Sequence, residues 1–98
     1  SPMANERKEI RVEMSKEIAS GVYANSLNIM HTAEEFILDF YIIAPPTGTA
    51  NARVITSPGH MKRILKVMEE NISKYEDKYG KIKPSKSPDK GTNIGFRP

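Results

Sequence analysis

Glu35-Phe36-Ile37-Leu38-Asp39-Phe40-Tyr41-Ile42-Ile43 is the most apolar stretch of the chain. Read with the alternation of a strand, Phe36, Leu38, Phe40 and Ile42 share one side, while Ile37, Tyr41 and Ile43 share the other, interrupted only by Asp39. A strand that is apolar on both sides needs cover on both sides, and this requirement shapes the reading of everything around it.

Upstream, Thr32-Ala33-Glu34 reads as a short turn, so that residues 22–31 and 35–43 form a hairpin. In residues 22–31, Tyr23, Asn25, Leu27, Ile29 and His31 alternate with Val22, Ala24, Ser26, Asn28 and Met30. Neither set is wholly apolar, which predicts a bend or bulge near Asn25-Ser26 where the buried side changes. Further upstream, Glu9-Ile10-Arg11-Val12-Glu13-Met14 alternates strictly between charged and apolar residues, the pattern of a half-buried strand. Ser15 to Gly21 joins the two, with Ile18 expected to reach back to the core and Gly21 suited to a positive φ.

Downstream, Pro45-Pro46-Thr47-Gly48-Thr49 reads as a loop. Residues 50–56 resume as a strand, with Ala52, Val54 and Thr56 opposed to Arg53 and Ile55. Ser57-Pro58 then announces a helix, the hydroxyl capping free amides and proline suiting the first turn. Met61, Ile64, Leu65, Met68, Ile72, Tyr75 and Tyr79 follow at helical spacing as one apolar stripe, and Gly80 supplies the stop. The opposite face carries charges, with Glu70 and Lys74 in the favourable i,i+4 order. The expected fold is thus α+β: an antiparallel four-stranded sheet (9–14, 22–31, 35–43, 50–56), one long C-terminal helix, and a disordered basic tail. Residues 9–80 form one domain, flanked by a flexible segment at 1–8 and a flexible basic tail at 81–98.

With 98 residues the chain has room for a single modest core. It has one helix to cover a sheet that is apolar on both faces, so a homo-oligomer is expected, a dimer first, because an uncovered strand of this kind invites aggregation. Cysteine is absent, which excludes disulfide and thiolate chemistry and fits the cytoplasm. No apolar run reaches the length of a membrane span, and the N-terminus lacks the pattern of a signal peptide; Ser1-Pro2 ahead of Met3 reads as a cloning remnant. Beyond Gly80, Lys81, Lys83, Lys86, Lys90 and Arg97 face only Asp89, a net +4 in a chain whose total is +3. The folded part is therefore close to neutral, which makes nucleic acid the weaker candidate partner.

The chemistry-bearing residues do not assemble into a known site. His31 at a hairpin end and His60 in the first helical turn lack a third ligand of their kind, and read as a polar turn residue and a local hydrogen-bonding residue. Asp39 is the least expected placement, and pairing with Arg53 or Arg11 on a neighbouring strand accounts for it more simply than a perturbed acid in a pocket. Phosphate loops, nucleophile elbows and paired catalytic acids are absent from the sequence. No catalytic residue, metal or cofactor is expected.

Four segments in order, Gly21-Val22-Tyr23-Ala24-Asn25, His31 to Phe40, Ala52 to Leu65, and Glu70-Asn71-Ile72-Ser73-Lys74-Tyr75-Glu76, give the chain its resemblance to a prokaryotic family known as domain of unknown function 3467. The resemblance spans residues 9–82 and implies no enzyme activity and no catalytic residue. In topology alone, four strands followed by a helix are similar to export-chaperone subunits of the SecB type and to Whirly or PUR-type single-strand binders. The function expected is a non-enzymatic, oligomeric binding or adaptor module that recognises a protein segment in chaperone-like fashion; the alternative is a single-stranded nucleic-acid binder. Ile37, Tyr41, Ile43 and Tyr23 are the candidate partner or oligomer surface, and Ile94, Phe96 and Arg97 the candidate tail contacts. In the alternative, Tyr23 and Tyr41 on exposed sheet surface stack bases while Lys81, Lys83, Lys86 and Lys90 meet phosphates.

Overall fold

The computed structural model describes residues 8–88. In chain order these form α1 (Lys16–Ser20), β1 (Ser26–His31), β2 (Phe36–Ala44), β3 (Thr47–Thr56) and α2 (Pro58–Tyr79). The sheet is antiparallel and three-stranded, with β2 in the middle. That position follows from composition, since the strand apolar on both faces is the one flanked on both edges.

The register sorts the faces. Leu27, Ile29 and His31 of β1 lie opposite Phe40, Leu38 and Phe36 of β2, which in turn lie opposite Ala52, Val54 and Thr56 of β3. This face is almost wholly apolar. The other carries Ser26, Asn28 and Met30 beside Tyr41, Asp39 and Ile37, with Arg53 and Ile55 completing the row. The division of β3 into two faces is the one its alternation predicts.

The loops show how the strands are joined. Thr32 organises the first hairpin: its hydroxyl accepts from the amides of Glu34 (3.1 Å) and Glu35 (3.2 Å), and its own amide donates to the Glu35 carbonyl. The second hairpin is tighter than the sequence suggested. Only Pro45 and Pro46 form the turn, and their peptide bond is cis; Thr47, Gly48 and Thr49, expected in a loop, already pair with Ala44, Ile43 and Ile42. The prolines lack amide donors, but the residues after them do not, so the ladder restarts at once.

Asparagines take over where the ladder becomes irregular. The register shifts between Phe40 and Tyr41, whose partners are Ala52 and Ala50, leaving Asn51 as an extra residue on β3. Its side chain donates to the Tyr23 carbonyl at 2.7 Å. Asn25, at the expected bend before β1, uses its side chain as a strand would use its backbone. It donates to the Ile43 carbonyl (2.9 Å) and accepts from the Ile43 amide (2.8 Å), while its own amide donates to the Tyr41 carbonyl.

Helix α2 starts and stops as its sequence predicts. The Ser57 hydroxyl accepts from the His60 amide at 3.1 Å, Pro58 occupies the first turn, and Gly80, at φ 94°, closes the helix by donating to the Glu76 carbonyl. Gly21 likewise takes the positive φ (72°) expected of it.

Two expectations need correction. Among the described residues there is no fourth strand: residues 8–15 carry neither helix nor strand and join no strand of the sheet. Ile10, Val12 and Met14 are 87%, 80% and 63% exposed, and Ile18, expected to reach the core, is exposed on α1. Alternation specifies an extended segment with a face to bury, but it does not specify which edge receives it. Nor does α2 close the sheet. Its packing against the strands is slight compared with the strand pairs, and Leu65, Met68, Ile72, Tyr75 and Tyr79 stay about half exposed. Among the described residues the buried apolar core reduces to Leu38 and Tyr41. The 81–88 segment has no helix or strand, and the rest of the expected disordered tail lies outside the described residues, as do residues 1–7.

Asn25→Ala removes both side-chain bonds to Ile43 and should lower stability by about 1–2 kcal/mol. Denaturant unfolding at fixed protein concentration measures this, and an unchanged midpoint would show that water replaces the asparagine without loss.

Candidate functional site

Asp39 sits in the middle of the most apolar strand, 4% exposed, and its neighbours explain how a charge is held there. Register places it directly between Asn28 on β1 and Arg53 on β3. The Arg53 Nε donates to Oδ1 and the guanidinium Nη2 to Oδ2, both at 2.7 Å, a bidentate fork that satisfies the carboxylate in the plane it prefers. Tyr41, two residues along the same face, donates its hydroxyl to Oδ2 at the long distance of 3.5 Å. Of the two partners expected for Asp39, Arg53 is the one present. The pair is one-sided, since the Arg53 side chain is 59% exposed.

Hydrogen bonds from Arg53 hold the Asp39 carboxyl below its ordinary value of 3.8; burial opposes the shift, and the arginine charge and the Tyr41 hydroxyl add to it. Tyr41 moves up from its ordinary 10.0, chiefly through burial and then through the charge of Asp39, with an Asn28 hydrogen bond pulling the other way. Arg53 moves up as well, through its bonds to Asp39. A carboxylate paired in this way stays ionised at neutral pH, and its bonds to Arg53 tie β2 to β3 on this face.

The remaining chemistry-bearing residues stay apart. The His31 ring lies against Phe36, its cross-strand partner, with centroids 5.5 Å apart. His60 contributes its backbone amide to the helix cap. Among the described residues, no group of three or more histidines, aspartates or glutamates is close enough to hold a metal ion, and no helix is long and apolar enough to cross a membrane.

The candidate surface residues divide. Ile37, Tyr41 and Ile43 fall on one side of β2, as their alternation required. Tyr41, expected on exposed sheet surface, is instead 6% exposed and engaged with Asp39, because the polar row across the three strands draws its hydroxyl inward. It offers no ring for stacking. Ile37 and Ile43 are half-buried, and Tyr23 is exposed ahead of β1. Lys81, Lys83 and Lys86 are exposed beyond α2; Lys90, Ile94, Phe96 and Arg97 lie outside the described residues.

An open apolar surface runs along α2, where Leu65, Met68, Ile72, Tyr75 and Tyr79 are exposed. Tyr75 and Tyr79, one turn apart, bring their rings to 4.9 Å, and the Lys78 ammonium lies 5.1 Å from the Tyr79 ring, so the far end of the stripe is an ordered aromatic patch. Past the helix, the Ile82 amide donates to the Glu76 carboxylate at 2.8 Å, turning the chain back beside it. The spacing of this stripe is legible in the sequence as cover for the chain's own sheet, but periodicity carries no signal of which surface an amphipathic helix meets.

Segments from before α1 to beyond α2 thus share one architecture, and a family model described as a protein of unknown function (DUF3467) matches residues 1–84. The chain belongs to the DUF3467 family. The match takes in the unpaired segment 9–14, all three strands and the whole of α2, so these parts belong to the family domain. No curated protein and no solved structure matches the chain.

Because the folded carboxyl of Asp39 binds its proton less readily than the unfolded one, the stability it contributes is present above pH 3.8 and is lost as pH falls through the lower folded value. Asp39→Asn should therefore flatten the acid limb of a stability–pH profile below about pH 4, while lowering stability at neutral pH. An acid limb identical to that of the parent chain would place the acid-sensitive group elsewhere.

Proposed function

We propose that the protein is a non-enzymatic, homo-oligomeric binding module that receives an extended protein segment on an open sheet edge. The observation that carries this reading is the apolar stripe of α2, about half exposed from Leu65 to Tyr79, with no further element among the described residues to cover it. Apolar surface on this scale is either an interface or a liability.

Two kinds of surface support a division of labour. The α2 stripe and the half-buried Ile37 and Ile43 suit contact between copies, a dimer being the simplest closed arrangement. The outer edges of β1 and β3 carry backbone donors and acceptors that β2 does not use, which is the equipment for strand addition by a peptide. The Asp39–Arg53 pair favours the same reading, since it spends the most conspicuous carboxylate of the sheet on order within the fold. The burial of Tyr41 takes one of two stacking rings from the nucleic-acid alternative.

Light scattering on the full chain should give the mass of a dimer or larger at micromolar concentration. Leu65→Lys with Ile72→Lys should reduce that mass to one chain while the helical circular dichroism persists. Alongside, a reduced and alkylated, permanently unfolded polypeptide should bind the parent protein equally at low and high salt. A parent chain that is monomeric overturns the proposal. Binding of a single-stranded oligonucleotide that collapses with salt, with no polypeptide binding, replaces it by the nucleic-acid reading.

A further inference from the structure

Residues 9–14 have the attributes of a strand except a neighbour. Ile10, Val12 and Met14 alternate with Glu9, Arg11 and Glu13, the backbone is neither helical nor paired, and every residue from 8 to 15 is exposed. The segment is anchored at its far end. The Ser15 hydroxyl accepts from the Ile18 amide to start α1, and Gly21 closes that turn by donating to the Ile18 carbonyl. The chain then passes across β2: Asn25 bonds to Tyr41 and Ile43 in line with β1, whereas the Tyr23 carbonyl, two residues earlier, is held by Asn51 of β3. The stretch before Tyr23 therefore approaches from the β3 side of the sheet.

We propose that residues 9–14 add as a fourth strand to the β3 edge of a second copy, and that the second copy returns its own segment in exchange. The inference rests on the homo-oligomeric reading above and specifies how the copies are joined.

Three observations choose the occupant and the edge. The first is area. Ile10, Val12 and Met14 of the segment are 63–87% exposed, and Leu65, Met68, Ile72, Tyr75 and Tyr79 of α2 are 46–65% exposed, so both the segment and the helix hold apolar area that a second copy would bury. Pairing the segment with the chain's own β3 would leave the α2 stripe and the apolar sheet face as open as before, whereas reciprocal exchange brings a second set of apolar surfaces along with the strand.

The second observation is the match of faces. With Ile10, Val12 and Met14 on the side of Ala52, Val54 and Thr56, they extend the apolar face formed with Leu38 and Phe40. The third is charge. In that setting Glu9, Arg11 and Glu13 fall on the side of Arg53, whose guanidinium is 59% exposed and belongs to the edge strand. Two of the three incoming residues are acids. The β1 edge offers Ser26, Asn28 and Met30 on the corresponding side, with no charge to receive them. Exchange at β3 leaves the β1 edge, Ser26–His31, as the free edge for an extended protein segment.

The test uses the full chain. A mixture of isotope-labelled and unlabelled copies is refolded together, and isotope-filtered NMR contacts are sought between the side chains of Ile10, Val12 and Met14 and the methyl groups of Ala52 and Val54. Contacts between copies, with slowed amide exchange over 10–14, are the expected result. The same contacts within one copy overturn the exchange. A dimeric mass without such contacts overturns the strand proposal and leaves the oligomer reading standing; a monomeric mass overturns both. In parallel, Val12→Pro places a residue without an amide donor in the added strand and should raise the dimer dissociation constant roughly tenfold or more, with the helical signal retained. An unchanged constant would contradict the proposal.

Discussion

A strand that is apolar on both faces cannot be satisfied by one layer of cover, and the architecture depends on that constraint. β2 takes the central position, so both of its edges are paired, and Leu38 on one face and Tyr41 on the other become the only buried apolar residues among those described. Phe36, Ile37, Phe40, Ile42 and Ile43 are partly buried, and Leu27, Ile29, Met30, Val54 and Ile55 are exposed. A chain of this size buries too little to support a fold on such a core, and the apolar stripe of α2 stands ready but unspent. Conformational entropy opposes folding in proportion to the residues ordered, so apolar surface left open in this way adds little to the stability of a single copy.

Within that frame the polar residues of the sheet set register. Asn28, Asp39 and Arg53 stand side by side across the three strands, and a slip of one residue in any strand would put a charge on the apolar face or remove a partner from the carboxylate. Asn25 and Asn51 act at the margins, where the regular ladder ends or bulges, by supplying bonds that the backbone cannot make there. The sheet is thereby specified more firmly by a few hydrogen-bonded side chains than by the packing of its faces.

Local signals were the most legible. The alternation of 36–43 and 52–56, the Ser57-Pro58 start, the Gly80 stop and the bend at Asn25 depend on nearest neighbours and on steric preferences, and each stands where the residues placed it. The Asp39–Arg53 pair was legible as one of two choices, because a charge in an apolar strand must find an opposite charge on a neighbour. What sequence periodicity could not convey is the destination of an amphipathic element. Ile10, Val12 and Met14 announce a face to be buried, and so do Leu65, Met68 and Ile72, but the same pattern serves contact within a chain and contact between chains. The burial of Tyr41 was hidden for a related reason, since it depends on the Asp39 carboxylate and on cover from both edges.

We propose that folding of this DUF3467 domain is completed by association between copies. The most direct test is the dependence of its unfolding on concentration. If association supplies the missing core, the thermal or denaturant midpoint of the full chain rises steadily as protein concentration is raised over two or three decades, because the folded state is favoured by mass action. A sharp, reversible transition whose midpoint does not move with concentration would mean that a single copy folds to stability alone, and would contradict the account.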